Sequence, residues 1–360
     1  MEKMFFLKTL FVVLIVLIAC DRASSMYAQE LTLEQIKANL LDNPPNTGDP
    51  TIREQTILAL DDILKDPSSR SSQSIFDFYA FMMRKVKDEL IEDVTGGANI
   101  WMMYNHGFII KTPETVFAFD LVDGYDDWQR CRRYRLPTKL LQQINVLFIS
   151  HSHNDHDDGS VILAVRNSGG EVIWGSGGDS ITVSGLHVKI YFGLHSVVNR
   201  IYEVTTPSGL KIIHTGDNQT SRTLPEIDNV DVMLLNAWVN ESGTTSAVVG
   251  MRNCIAKLEP AVMIPGHVQE LNHDYIPSNP KGRAIYEWPF MVDDVPISAS
   301  VKVMAWGERY FMTEESVELD TSYENPSFPK SFMMSQNYPN PFNPSTKIKY
   351  QISNNVNRQS

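Results

Sequence analysis

The amino-acid sequence predicts a layered α/β domain preceded by a helical extension, and two patterns support this prediction. From Ile100 onward, short β-rich runs separated by turns alternate with helical stretches, which is typical of an α/β domain. Residues 30–95 instead repeat apolar side chains at helical spacing, as amphipathic helices do. Hydrophobic residues make up 42% of the 360 residues and charged residues 21%, so the chain can bury a large core.

The same periodicities locate the individual elements. In the extension, helices are predicted over Thr51–Leu64 and Ser74–Val94, with packing or lid duty rather than chemistry, since residues 30–95 contain neither His nor Cys. Further helices are predicted over Ser160–Asn167 and Thr245–Leu258. The predicted strands are Trp101–Tyr104, Phe108–Ile110, Val116–Asp120, Val146–Ser150, Val172–Trp174, Val188–Phe192, Lys211–His214, Val232–Leu235 and Val262–Ile264.

Residues 1–20 carry the pattern of an export signal. The apolar run Leu10–Ala19 follows two lysines and is too short to span a bilayer as a helix. The segment Leu17–Cys20 resembles a bacterial lipobox, which predicts a lipid anchor at Cys20; a plain signal peptide cleaved further along is the alternative. Either one predicts an exported protein of the periplasm, outer membrane or cell surface, with membrane contact only through the anchor.

The C-terminal residues 335–360 begin with a Pro/Asn-rich string, SQNYPNPFNPSTKIKY. This string resembles the opening of the sorting domain used by type IX secretion, and we expect a truncated version of that signal. Residues 313–334 lack periodicity and contain Pro, Ser and Glu, which predicts a linker.

Charge and cysteine content restrict the partners. The formal net charge of −12 argues against a nucleic-acid partner, because phosphates need a Lys/Arg surface. We therefore expect a small-molecule substrate.

Cys131 and Cys254 are either a disulfide or two free thiols. No glycine-rich loop has the spacing of a phosphate-binding motif.

All nine histidines lie between His106 and His273. Three of them and an aspartate form the run His151-x-His153-x-Asp155-His156, directly after the apolar strand that ends near Ser150. Imidazole and carboxylate groups suit Zn, Mn or Fe, and the absence of a nearby thiol excludes a cysteine-based zinc site. A solvated polar loop would explain one or two of these residues but not four within six positions.

This run matches the HxHxDH signature of the metallo-β-lactamase fold superfamily, and the later elements follow in the expected order. They are Gly193–His195, Lys211–Asp217 and Met263–His267, each at a predicted strand end. The resemblance covers roughly residues 98–310 and is greatest to the lactonase-like branch that includes ascorbate-6-phosphate lactonase. It implies an αββα sandwich over residues 97–312, with the helical extension at 29–96.

The resemblance also implies two divalent metal ions, most often Zn, with Mn or Fe as alternatives. A hydroxide bridging the two metals would then attack an ester, lactone or phosphoester. The best-known dizinc β-lactamases carry a cysteine where this chain has Asp217, so lactonase-like hydrolysis is favoured over penicillin hydrolysis. The implied ligands are His151, His153 and His195 for one metal, Asp155, His156 and His267 for the other, and Asp217 as the bridge.

Three residues are candidates for catalytic roles beyond metal binding. Asp155 is expected to orient the attacking hydroxide. His106 is expected either to contact the substrate or support a ligand, or to be structural, and His273 to donate a proton to the leaving group. Outside these roles, we expect His187 and His214 to be structural and Asp120 to anchor a loop.

Two other functions are compatible with the same residues. One is an iron-dependent redox enzyme of the same fold, similar to sulfur dioxygenases. The other is a non-catalytic surface protein whose metals are structural. Substrate identity depends on loops around the metal centre, which the motif does not specify.

Overall fold

The computed structural model of the protein describes residues 31–123, 136–237, 239, 247–271, 299–313, 333–334 and 350–351. The predicted export signal with Cys20, His273, Cys131 and most of the predicted linker and C-terminal motif lie outside these ranges. Cys254, the possible partner of Cys131, is fully buried. By its contacts the chain divides into two compact units, residues 1–313 and 314–360.

Three α-helices and a short 3₁₀ helix, Pro67–Ser71, form the described part of the extension before the first strand. Thr32 begins α1 with a capping box to Gln35, and Asp49 accepts two backbone hydrogen bonds at the start of α2, as favoured N-cap residues do. The third helix ends earlier than predicted, because Lys111 donates to the carbonyls of Leu90 and Glu92 beyond it. The helices are α1 (Leu33–Asp42), α2 (Pro50–Lys65) and α3 (Gln73–Glu89).

The first sheet has six strands in the order β13-β1-β2-β3-β4-β5. Strands β13, β1, β2 and β3 pair antiparallel, and β3, β4 and β5 pair parallel. Its strands are β1 (Ala98–Met102), β2 (Phe108–Lys111), β3 (Val116–Phe119), β4 (Val146–Phe148), β5 (Glu171–Ile173) and β13 (Arg309–Met312). Helix α4 (Thr138–Leu141) precedes β4, and helix α5 (Gly159–Asn167) connects β4 to β5.

The second sheet has seven strands in the order β12-β11-β10-β9-β8-β7-β6. Strands β6 to β9 form an antiparallel meander, and β9 to β12 pair parallel. Its strands are β6 (Ser180–Val183), β7 (Leu186–Gly193), β8 (Asn199–Thr205), β9 (Lys211–His214), β10 (Val232–Asn236), β11 (Val262–Gly266) and β12 (Ser300–Val301). Helix α6 (Ala247–Leu258) connects β10 to β11.

The core lies between the two sheets. The ring of Tyr202 on the second sheet packs against Phe119 and Phe148 on the first, and its hydroxyl donates to the carbonyl of Ile149. Helices α5 and α6 connect parallel strands, so they cover the outer faces of the two sheets. The predicted α/β sandwich with an N-terminal helical extension is thereby confirmed.

Four strands of the two large sheets are missing from the predicted set: β6, β8, β12 and β13. Strand β8 carries Arg200 and Glu203 among its apolar residues, which hides its alternation. Strand β13 pairs with β1 about 200 residues earlier in the chain, with Ala98 opposite Met312. Because its partner is so distant in sequence, local patterns do not reveal β13.

A buried ion pair joins the helical extension to the end of the sandwich. The Arg53 guanidinium on α2 contacts both carboxylate oxygens of Glu308, at 2.8 and 2.9 Å. It also donates to the carbonyls of Asn43 and Val303, and Glu308 accepts from the backbone amide of Ala305. This bidentate geometry leaves each charged group fully paired, as a buried charge requires.

Residues 333–334 and 350–351 belong to the second unit and form β14 (Met333–Met334) and β15 (Tyr350–Gln351), an antiparallel pair. Of this short ladder, β14 lies at the end of the predicted linker and β15 lies within the predicted C-terminal motif. Within the described ranges, no helix combines the length and apolarity needed to cross a bilayer.

Replacing Arg53 with methionine tests the connection between extension and sandwich. We expect Arg53→Met to lower the free energy of unfolding by about 3–5 kcal/mol, because Glu308 would remain buried without its partner. Arg166→Met on α5, where the arginine is exposed, should change it by less than about 0.5 kcal/mol. Chemical denaturation measures both; equal stability of the two variants would contradict the assignment.

Candidate metal centre

The candidate site lies where the carboxyl ends of several strands meet. The run from His151 to His156 follows β4, His195 follows β7, Asp217 follows β9 and His267 follows β11. Strands β7, β9 and β11 run in the same direction, because β8 is antiparallel to both of its neighbours and β9 to β11 are parallel. Their ends therefore lie on one edge of the sandwich.

Four donor atoms form the first group, from His151, His153, His195 and Asp217, all within 4.8 Å of one another. Nδ1 of His153 lies 3.1 Å from Nε2 of His151 and 3.2 Å from Nε2 of His195. Oδ2 of Asp217 lies 3.6 Å from Nε2 of His151 and 3.9 Å from Nε2 of His195. Three nitrogens and one carboxylate oxygen thus converge.

The second group contains Asp155, His156 and His267. Nε2 of His156 lies 3.1 Å from Nε2 of His267 and 3.6 Å from Oδ2 of Asp155. The other oxygen of Asp217, Oδ1, lies 2.8 Å from Nε2 of His267 and 3.4 Å from Nε2 of His156. The two oxygens of Asp217 therefore face the two groups separately.

The remaining ring nitrogens are held by hydrogen bonds. Nδ1 of His156 lies 2.7 Å from the carboxylate of Asp120, and Nδ1 of His267 lies 2.6 Å from that of Glu270. A carboxylate only accepts hydrogen bonds, so each Nδ1 carries a proton and Nε2 is the nitrogen left to bind a cation. Acceptors in this position usually fix metal-binding histidines.

These contacts test whether the residues fit metal ions. Two lone pairs about 3 Å apart repel each other unless a cation lies between them, and the spacing is close to the roughly 3.3 Å expected between two ligands of one tetrahedral zinc. Imidazole with carboxylate is a donor set for Zn, Mn or Fe, and the described residues of both groups include no thiol. The two groups therefore fit two divalent cations.

The electrostatics of the groups support ionised Asp217. Burial alone would raise the pKa of its carboxyl, but the imidazoles of His267 and His156 hold that pKa well below its usual value. Burial lowers the pKa of His267, yet Asp217 and Glu270 outweigh it and raise that pKa to about 10, so a cation that binds Nε2 must displace a proton there. Burial and His156 lower the pKa of His151 to about 3, so His151 is a neutral imidazole.

The backbone around the ligands is strained in several places. His267 and Asp120 have φ values of 56° and 45°, a region that side chains with a Cβ rarely occupy. The turn before Asp217 contains Gly216 at φ 51°, where a Cβ would lie 2.2 Å from Oδ1 of Asn199. Asn199 in turn accepts from the amide of Asp217. Such strain is typical of residues held for function.

His106 lies behind the site. Its ring is fully buried and stacks on that of His267, with ring centroids 5.6 Å apart. A second ring, that of His214, lies 4.3 Å away, and Gly266 provides the space for Nδ1. Burial and the neighbouring His214 hold the pKa of His106 well below its usual value. The structure places His106 as a support of His267, away from solvent.

The structure thus brings all seven predicted ligands together. Asp155, at 20% side-chain exposure, is the predicted catalytic residue that reaches solvent, whereas His273 lies outside the described ranges. His187 is exposed beside Thr182 on the β6–β7 ladder, and His214 is buried. Asp120 does anchor a loop, through the amide of Ser150, but it also orients His156.

Sequence reasoning missed the supporting polar residues. Glu270 stands three residues after His267, a spacing that allows a local contact, and this was the available signal. Asn199 and Gln219 act across elements, because Gln219 lies 3.2 Å from Nδ1 of His195. Their partners are distant in the sequence, so no local pattern marks them.

A family model described as the beta-lactamase superfamily domain matches residues 95–267. Among solved structures, Igni18, a metallo hydrolase of Ignicoccus hospitalis, is 16% identical with a TM-score of 0.43 over 60% of this chain and 98% of that chain. The isothiocyanate hydrolase from Delia radicum gut bacteria is 15% identical, with a TM-score of 0.41 over 60% and 99%.

CmlA, a diiron β-hydroxylase from Streptomyces venezuelae, is 12% identical, with a TM-score of 0.41 over 71% of this chain and 60% of that chain. No curated protein sequence matches the chain significantly.

Replacing Asp120 with asparagine tests the orientation of His156. We expect Asp120→Asn to weaken zinc binding by about 10–100-fold, because asparagine keeps one acceptor oxygen where Asp120 uses two, for the amide of Ser150 and for Nδ1 of His156. A competition titration against a chromophoric chelator measures the affinity. The exposed Asp228→Asn on the loop before β10 is the control, and equal affinities for the two variants would contradict this role.

Replacing Gly266 with alanine tests the packing of His106 behind the site. A Cβ at position 266 would lie 1.8 Å from Nδ1 of His106, so we expect Gly266→Ala to lower the free energy of unfolding by about 1–3 kcal/mol. Gly159→Ala is the matched control, since a Cβ there meets nothing within 4 Å.

The double variant His106→Ala/Gly266→Ala should be more stable than the sum of the single effects predicts, because the clash is removed. Thermal or chemical denaturation of the four proteins gives this coupling energy. Strict additivity would show that the two residues do not compete for the same space.

Proposed function

We propose that the protein is a metal-dependent hydrolase with a binuclear centre, and the match of residues 95–267 to the beta-lactamase superfamily domain supports this proposal. The observation that carries the proposal is the position of Asp217, whose two oxygens face two separate groups of imidazoles. A single carboxylate between two sets of neutral nitrogen donors is the arrangement expected to hold two cations side by side.

Each of the ligand residues has a defined task. His151, His153 and His195 would hold one cation and Asp155, His156 and His267 the other, with Asp217 shared between them. When bound, the two cations would supply Lewis acidity and lower the pKa of a water molecule, which is the chemistry that hydrolysis of an ester, lactone or phosphoester needs.

The chain itself determines from which side a substrate arrives. His151, His156 and His267 are almost completely buried, whereas Asp155 and His195 keep 20% and 9% of their side chains exposed. A substrate therefore approaches past Asp155 and His195. A carboxylate at this opening is able to orient a water molecule or accept its proton.

The type of residue at position 217 favours a lactonase-like reaction. A carboxylate there gives two oxygen donors to two cations, while a cysteine would give one sulfur and favour a different metal environment. We therefore propose lactones, carboxylic esters and phosphoesters ahead of β-lactams as substrates.

Asp217→Ala is the decisive variant. With zinc, manganese or iron supplied, we expect its kcat/KM for a substrate of the wild-type protein to fall by at least about 10³-fold, because both cations lose a shared ligand. Asp228→Ala, on an exposed loop, should keep wild-type activity. The measurement is initial rates on the full chain, after a screen of lactone, ester, phosphomonoester, phosphodiester and β-lactam substrates.

Metal removal gives a second readout of the same centre. Chelation should abolish hydrolysis, and the purified protein should regain it when about two equivalents of divalent metal are returned, as metal analysis would record. A protein that is loaded with iron, consumes oxygen and hydrolyses none of these substrates would overturn the hydrolase and favour the redox alternative. Full activity in Asp217→Ala would overturn the binuclear mechanism.

A further inference from the structure

Three of the large apolar side chains that are exposed among the described residues lie close together in sequence. Phe192, Leu194 and Val198 are 54%, 52% and 60% exposed, and they flank the ligand His195 on both sides. Phe192 ends the inward face of β7, and Val198 immediately precedes β8. We call these three residues the apolar rim.

Phe192 is exposed because of where its strand ends. Along β7, Leu186, Val188 and Ile190 share one face and are almost fully buried, and Phe192 is the next residue on that face. The Phe192 ring therefore lies past the end of the buried core, at the edge of the sheet where the ligands converge. A group of exposed apolar side chains beside a candidate site, as Phe192 forms with Leu194 and Val198, is typical of a surface that binds a ligand.

The rim is held in place by its neighbours. The Phe192 ring lies over Gly177, where a Cβ would approach Cδ2 to 2.3 Å. The backbone of Leu194 is held by Asn218, whose Oδ1 accepts from its amide, and by the amide of Gln219, which donates to its carbonyl. A rigid loop presents its apolar side chains without an ordering cost at binding.

The rim stands on the open side of the metal centre. Among the ligands, His153, Asp155 and His195 are partly exposed, whereas His151, His156 and His267 are buried. His195 belongs to the same loop as Leu194 and Val198. Any molecule that reaches the donor atoms from this side therefore passes directly beside the rim.

Trp174 extends the same edge on the first sheet. It follows β5 and is half-buried, and the Arg200 guanidinium lies 5.8 Å from the centre of its ring. Arg200 donates to the carbonyl of Ser150 and to that of Gly175, so this cation is engaged by the protein. The surface beside the rim is thus apolar and aromatic, without a free positive charge at Arg200.

We infer that the substrate carries an alkyl chain or aryl group next to its reacting centre, and that Phe192, Leu194 and Val198 bind this apolar part. This inference rests on the proposed function, because it places the reacting centre at the metals. The occupant is a small amphiphilic molecule, since the rim adjoins His195 and a substrate must reach the metals there.

The test uses alkyl hydroxamates as probes, because the hydroxamate group binds divalent metals whatever reaction the enzyme catalyses. Acetohydroxamate and octanohydroxamate are titrated by calorimetry into the full chain loaded with Zn²⁺. We expect the longer probe to bind at least about thirtyfold more tightly, which corresponds to partial burial of each added methylene.

Three single variants test whether the apolar rim causes the tighter binding of the longer hydroxamate. Phe192→Ser, Leu194→Ser and Val198→Ser should each reduce the ratio of the two affinities severalfold while leaving acetohydroxamate binding unchanged. Ile91→Ser is the matched control, because Ile91 is 71% exposed in the helical extension; it should keep the wild-type ratio. Unchanged acetohydroxamate binding also shows that each variant is folded at the metal centre.

The outcomes separate the two proposals. If acetohydroxamate binds but chain length has no effect, the inference is overturned and the proposed function stands. If neither probe binds the zinc-loaded protein, the proposed function fails and the inference fails with it. A third outcome is that chain length has no effect, the protein binds phosphatidylcholine vesicles, and Phe192→Ser abolishes that vesicle binding. This result would assign the rim to membrane contact and would also overturn the inference.

Discussion

The site depends on one electrostatic constraint: imidazole lone pairs must point at each other across about 3 Å. Neutral rings would turn away from such an arrangement, so each must be held by something else. His156 is held by Asp120 and His267 by Glu270, through their Nδ1 atoms. Because these carboxylates are buried, they orient the rings more firmly than an exposed acceptor would.

Asp120 and Glu270 are themselves part of larger networks. Asp120 accepts from the amide and hydroxyl of Ser150, and that hydroxyl lies 2.9 Å from Nδ1 of His151. One buried carboxylate thereby positions a ligand of each group. The geometry of the two groups is coupled through the loop that carries both, and the strained φ of Asp120 is a cost of that arrangement.

The helical extension contributes to the same end of the molecule. Tyr79 on α3 packs on Trp306 with ring centroids 4.3 Å apart, and the Trp306 indole donates to the carbonyl of Val268. Val268 directly follows the ligand His267. Together with the Arg53–Glu308 ion pair, this packing supports the loop after β11 from behind, so the extension acts as packing for the site.

Sequence by itself determined the fold class, the extension and the seven metal-ligand candidates, because the 2.0 and 3.6 periodicities and the HxHxDH spacing are local patterns. It could not identify Glu270, Asn199 or the second role of Asp120, nor the strands β8 and β13. Asn199, Asp120 and β13 contact residues that are distant in the chain. Polar residues hide the alternation of β8, and the motif does not mark Glu270 although it stands only three residues after His267. Tertiary structure alone also decided that His106 is buried behind His267, since whether a histidine faces solvent or core depends on which strands pack around it.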